Sequence, residues 1–149
     1  MNPFDLAAAL QAKHAQHVVL IHFPIALLLT GVAFDAAAQW TRRQGLAAAA
    51  YYNLAVAAIS ALPVVATGLL AWQFQLGGHR LRGTLLLHLV LGAASSAVIW
   101  LVWWLHWQAR RKEGRPLPVY RWPLELLAVA LVTLTGHLGG FLSGVNGAG

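Results

Sequence analysis

The chain has no cysteine in its 149 residues, a single methionine and only four acidic side chains. The first absence excludes disulfides, thiolate metal sites and covalent c-type haem attachment to this chain. Imidazole must then carry any ligand chemistry, and seven histidines are present. Charge is the second scarcity, since Asp, Glu, Lys and Arg make up 9% of residues against 59% hydrophobic ones, where a soluble protein is about a quarter charged. The long segments are apolar all round and lack the charged face of a soluble amphipathic helix. Lipid is the natural solvent for such a chain. Also missing is any nucleophile-base-acid set, phosphate loop or paired carboxylate in the loops, which are too short to build a soluble-type pocket.

What is present is four long apolar segments, at about 18–40, 52–74, 83–107 and 122–143. Each reaches the roughly 20 residues of helix that a bilayer core of about 30 Å requires. The intervening stretches are short and carry arginine, glycine or proline, as helix-to-helix connections do. The expected fold is therefore all-α, an integral membrane four-helix up-down bundle occupying 18–149. Residues 1–17 read as an interfacial segment too short to span, without the basic n-region and cleavage site of a signal peptide.

The formal charge of +6 suggests a nucleic-acid partner only superficially, because the basic residues form two short runs and no basic helical face interleaved with aromatics. No nucleic acid is expected. Instead the runs orient the chain. Arg42, Arg43, Arg110, Arg111, Lys112, Arg115 and Arg121 lie in or beside the first and third connections, against Lys13, Arg80 and Arg82 on the other side. Such a bias puts the first and third connections in the cytoplasm and both termini outside. The expected location is the bacterial inner membrane, multi-pass, with both termini periplasmic. Trp40, Trp100, Trp103, Trp104, Trp107 and Trp122 gather at the cytoplasmic ends like an aromatic belt, with Trp72 at the other interface.

Small residues predict which faces meet, because close backbone approach drives packing in lipid. The expected faces are Ala26, Thr30, Ala33 and Ala37 on the first helix, and Asn53, Ala57, Ala61, Val64 and Gly68 on the second. The third offers Thr84, His88, Gly92 and Ser95 or Ser96, and the fourth Ala130, Thr133, His137 and Gly140.

Six of the histidines, His14, His17, His22, His79, His88 and His137, fall on the outer side, and only His106 belongs to the cytoplasmic end. His22, His88 and His137 sit inside spans at similar depth in the outer leaflet. Ionisable groups in a bilayer usually face a bundle interior, a cofactor or a cavity, so these three are the candidate ligand set. Neutral imidazole suits haem iron, copper, zinc and non-haem iron alike. Gly68, Gly92, Gly136, Gly139 and Gly140 favour haem, because they clear volume for a flat macrocycle, and no carboxylate stands where it would complete a cage for a bare ion. Helices one and three are diagonal in an up-down bundle, which makes His22 and His88 the first choice of axial pair. His137 is then a replacement ligand, a propionate partner or part of a quinone pocket. His17 is placed to meet a propionate or a quinone carbonyl, and Arg80 a propionate or a lipid phosphate. His106, among tryptophans, has no evident partner at its depth.

The run His17-Val18-Val19-Leu20-Ile21-His22-Phe23-Pro24-Ile25-Ala26-Leu27 and the closing Thr135-Gly136-His137-Leu138-Gly139-Gly140 resemble the signatures of a bacterial four-helix membrane family, domain of unknown function 2231. The resemblance covers nearly the whole chain. It departs where the family often has a proline after the first histidine, an Asp before the tryptophan ending helix two, and a valine-tyrosine pair after the last glycines. Here those positions carry Val18, Ala71 and Leu142-Ser143. Some family members look fused to c-type cytochrome domains, which implies redox chemistry at the outer face, and the layout is similar to that of small b-type cytochromes.

The resulting expectation is a membrane cytochrome that binds one haem b by two of His22, His88 and His137. It would exchange electrons with quinol or a periplasmic c-type cytochrome, as an electron-transfer protein or redox-complex subunit. A homodimer through the Gly136 and Gly140 face is a further option. The alternatives are a histidine-lined copper, zinc or iron site, against which no Met-rich or carboxylate-rich path crosses the membrane, and a non-redox assembly subunit whose histidines only join helices.

Overall fold

A computed structural model describes residues 15–75, 77, 78, 80–112 and 117–143. The interfacial segment expected at the N-terminus lies outside them except for 15–17, which already belong to the first helix, and His14, His79 and Arg115 lie outside as well. Four helices follow one another: α1 Ala15–Thr41, α2 Gln44–Leu70, α3 Gly83–Arg111 and α4 Arg121–Leu142. A wider π-helical turn, Ala71–Gln75, extends α2. No strand occurs among the described residues. At about 1.5 Å per residue each helix outruns the apolar core of a bilayer, and all four are long and apolar enough to cross a membrane.

Helix is the only economical state for these segments. In lipid every backbone N–H and C=O must be satisfied within the protein, and the Ala- and Leu-rich composition supplies high intrinsic propensity. The hydroxyls are absorbed the same way. Thr41, Ser95, Ser96, Thr133 and Thr135 each donate to the carbonyl four residues earlier, so they enter the bilayer without an unmet donor. Thr30 Oγ1 lies 2.8 Å from Ala26 O and 3.0 Å from Asn53 Oδ1 of α2, so its one hydrogen is shared between the two acceptors. α2 runs on through Pro63.

The first connection is only Arg42 and Arg43. Arg42 takes a left-handed φ of 55°, and its N–H bonds Ala38 O at 2.8 Å, which reverses the chain in two residues. Gly77 and Gly78, at φ 63° and 62°, turn it again before α3. α1 packs most extensively on α2 and α3 on α4; α2 meets α3, and a thinner contact between α1 and α4 closes the ring. The arrangement is an up-down bundle with α1 and α3 on one diagonal. Both termini and the α2–α3 connection share one end, called here the terminal end; the other connections make the basic end.

Mid-bundle, Leu28, Leu54, Ala57, Ala58, Ile99, Val102, Ala128 and Val132 form the core. Gly31 lets α1 and α2 close, since a Cβ there would stand 2.9 Å from Leu54 Cγ. The outer surface is apolar instead of charged: Val19, Phe23, Ile59, Leu62, Val90, Leu126 and Leu134 are all exposed, as a lipid-facing surface requires.

Small residues marked the inner face of α2 well, that of α3 except at the exposed Thr84, and those of α1 and α4 poorly. Asn53, Ala57, Ala61, Val64 and Gly68 of α2 are all buried or half-buried, whereas Ala26, Thr30 and Ala33 of α1 are exposed, as are Ala130, Thr133 and His137 of α4. The buried stripe of α1 is Pro24, Leu28, Gly31, Asp35 and Ala38; that of α4 is Arg121, Glu125, Ala128 and Val132. Alanine is common on every face of this chain and so discriminates weakly, while a charge within a bilayer is confined to the interior. Nor do all the tryptophans form a belt. Trp40 is exposed, but Trp100 and Trp103 pack against the core, their rings edge to face at 5.2 Å.

Candidate functional site

Near the terminal end two imidazoles turn into the bundle. His17, in the first turn of α1, directs Nδ1 at Val64 O of α2, 3.1 Å away, with Thr67 Oγ1 at 3.3 Å. His88 of α3 directs Nδ1 at Thr135 O of α4, 3.1 Å away. A carbonyl only accepts, so Nδ1 carries a proton on both rings. The two rings face each other across the α1–α3 diagonal with centroids 6.3 Å apart and planes at 87°.

Two glycines make this placement possible. A Cβ on Gly68 of α2 would lie 3.0 Å from Cε1 of His17, and one on Gly139 of α4 would lie 3.2 Å from Cε1 of His88. Gly92 and Gly136, also expected to clear space, are packed in ordinary fashion. A Cβ on Gly92 would find Thr135 Cγ2 at 3.7 Å, and one on Gly136 would find Ile25 Cδ1 at 4.0 Å. Gly136 therefore serves the bundle, packing toward α1.

His22 and His137, expected to converge with His88, do not reach it. His22 is exposed and its Nδ1 donates to Val18 O of its own helix at 2.7 Å. Five residues of helix place it about 140° around α1 from His17, so turning His17 inward turns His22 outward. His137 is exposed and packs edge-on against Phe141, centroids 5.0 Å apart. It stands two residues from Thr135 and two from Gly139, nearly opposite the face those residues present to His88. Arg80 is exposed in the turn before α3.

The basic end holds a second polar group that sequence reasoning missed. Asp35 of α1, His106 of α3 and Arg121 and Glu125 of α4 are all buried. Arg121 Nε donates to Asp35 Oδ2 at 2.8 Å, and His106 Nε2 lies 3.0 Å from Glu125 Oε1. Far from lacking a partner at its depth, His106 is paired. One ligating atom from each of Asp35, His106 and Glu125 falls within 4.8 Å of the others. Arg121 Nη2 and Glu125 Oε2 are buried with no hydrogen-bond partner in the protein. The arginine also stacks over Trp122, 4.4 Å from the ring centroid. Two carboxylates facing one permanent cation leave a negative charge that must be met by a proton or by another cation.

The helix ends that the structure sets bring three of these residues to one depth. Asp35 stands six residues before the end of α1, His106 five before the end of α3 and Glu125 four after the start of α4. Since α1 and α3 end where α4 begins, the three share a depth of roughly 6–9 Å.

No match was found among curated proteins or among solved structures. A family model does match, over residues 13–149. That range contains all four helices, both inward histidines and the buried charge cluster. The chain therefore belongs to the family described as Predicted membrane protein (DUF2231).

Proposed function

We propose that this chain is a b-type cytochrome in which His17 and His88 would hold the haem. The observation that carries the reading is the pair itself: two imidazoles on diagonal helices, 6.3 Å apart, each with Nδ1 fixed on a backbone carbonyl. With metal–imidazole bonds of about 2.0–2.1 Å and about 1 Å from ring centre to nitrogen, two rings sharing one metal ion would have centres within about 6 Å of each other. Anchoring Nδ1 on a carbonyl orients each ring, as is common for metal-binding histidines, and Nε2 is the nitrogen that would ligate. A donor set of two neutral imidazoles suits haem iron, whose remaining positions the macrocycle fills. Gly68 and Gly139 are the notches that seat the two rings against α2 and α4.

Bound haem would supply one-electron transfer. The chain's own part is to hold the two rings, exclude water from the pair and tune the iron through the carbonyls of Val64 and Thr135. The excess of basic residues at the Arg42-Arg43 and Arg110–Arg111 end makes that end cytoplasmic in a bacterial inner membrane. The histidine pair then lies toward the periplasm, where quinol or a c-type cytochrome is the fitting redox partner. Because the native chain has no cysteine, single cysteines at Arg43 and Ser143 test the orientation cleanly. In intact cells a membrane-impermeant maleimide should label the second and spare the first; the reverse would invert the bundle.

The haem reading is tested by absorbance of the full chain purified after expression with ample haem. A Soret band that sharpens with distinct α and β bands on reduction is expected. His17→Ala and His88→Ala should each abolish the low-spin spectrum, while His22→Ala and His137→Ala should retain it. A colourless protein carrying copper, zinc or iron would replace haem by a bare metal ion, and loss of the spectrum in His22→Ala alone would return the ligand role to that residue.

A further inference from the structure

The proposed haem site uses nothing at the basic end, and the cluster there stands independently of it. We propose that Asp35, His106 and Glu125 bind one divalent first-row transition-metal cation of the zinc, manganese or ferrous class. Each ligand comes from a different helix, α1, α3 and α4, so the cation would tie three of the four together.

Three observations point to a cation. The candidate ligating atoms lie within 4.8 Å of one another. Metal–ligand bonds of about 2.0–2.2 Å hold such atoms roughly 3–4.3 Å apart, so closure by a few tenths of an ångström suffices. Glu125 is fully buried, yet its Oε2 has no hydrogen-bond partner in the protein. An acceptor left that way is costly unless something positive meets it. The donor chemistry is also selective: one imidazole and two carboxylates suit borderline and hard divalent ions and disfavour cuprous ion, which prefers thiolate or thioether ligands.

The groups already paired do not prevent binding. Arg121 Nε occupies Oδ2 of Asp35, and a carboxylate has a second oxygen with its own lone pairs. Between His106 Nε2 and Glu125 Oε1, 3.0 Å apart, the cation takes the place of a shared proton. That proton is released to solvent as the metal binds. Arg121 remains as the group that orients Asp35.

The test is titration of the full-length chain, purified in detergent and stripped with chelator, with Zn2+ followed by calorimetry and with Mn2+ followed by electron paramagnetic resonance. One equivalent should bind. Glu125→Gln and His106→Gln should each weaken binding at least tenfold, whereas the His17→Ala/His88→Ala double variant should bind as the native chain does. Pulsed measurement of the native Mn2+ complex needs no variant and should show modulation from a single imidazole nitrogen. Two coupled imidazoles would move the metal to the histidine pair and overturn the assignment. Failure to bind a stoichiometric ion, or unchanged affinity in a folded Glu125→Gln variant, would overturn it as well.

Discussion

Asp35→Ala should cost this bundle about 3–5 kcal/mol, the range seen when one partner of a buried ion pair is removed and the other is left in place. Arg121 is 3% exposed, and Asp35 Oδ2 is the carboxylate oxygen its Nε meets. Its Nη2 has no protein partner to compensate. Deleting the carboxylate would therefore strand a guanidinium, which cannot shed its charge, among apolar helices. The companion variant, Asp35→Leu with Arg121→Met, should recover most of the loss, because an apolar pair of similar volume avoids the desolvation of both charges. Reversible unfolding in mixed detergent micelles measures both. A loss below about 1 kcal/mol for Asp35→Ala would mean that Arg121, as the first residue of α4, swings its long side chain out to the headgroups.

Three helical glycines permit an equally sharp contrast at the other end. Gly68→Ala, Gly92→Ala and Gly139→Ala each raise helix propensity by about 1 kcal/mol, so propensity alone predicts that all three stabilise. The structure predicts otherwise. At position 92 the new methyl would meet Thr135 Cγ2 at 3.7 Å, an ordinary contact, whereas at 68 and 139 it would press on Cε1 of His17 and His88 at 3.0 and 3.2 Å. Gly92→Ala should keep the helix gain. Gly68→Leu and Gly139→Leu should drive the imidazoles from their carbonyl anchors and lower haem retention, read as Soret absorbance per protein, by tenfold or more. Equal retention in both Leu variants would remove His17 and His88 from the ligand role, even if the protein proves to be a haem protein.

Why the glycines at 68 and 139 matter while that at 92 does not was beyond the reach of a linear reading. The three look alike in sequence, and only the neighbour across the helix interface separates them. The inward faces of α1 and α4 show the same limit from another side. Ala26, Thr30 and Ala33 made a credible small-residue stripe, but alanine also covers the lipid side of this chain. Asp35, Arg121 and Glu125 were the more reliable guides, because lipid tolerates a surface alanine and expels a surface charge. Using them as markers would have set the rotation of both helices. With α4 rotated to bury Arg121 and Glu125, Thr135 and Gly139 turn inward with them, and His137 turns out.

The histidines followed from that rotation. Membership of the inward histidine pair was half legible: the diagonal α1–α3 relation follows from short connections, and His88 is the intramembrane histidine of α3. On α1 the choice between His17 and His22 depends on a turn of about 140°, which hydropathy does not record.

Sequence by itself determined that this chain lives in lipid as four helices, because its hydrophobic content leaves no other solvent and lipid leaves no other backbone state. It also determined the basic end and the concentration of histidine at the opposite one. Tertiary structure decided which side chains face each other. His17 meets His88 through two glycine notches, and Asp35, His106, Arg121 and Glu125 meet in the core at the basic end. The reason is geometric. Position along the chain fixes depth in a bilayer at about 1.5 Å per residue, but rotation about each helix axis is set by packing against its neighbours.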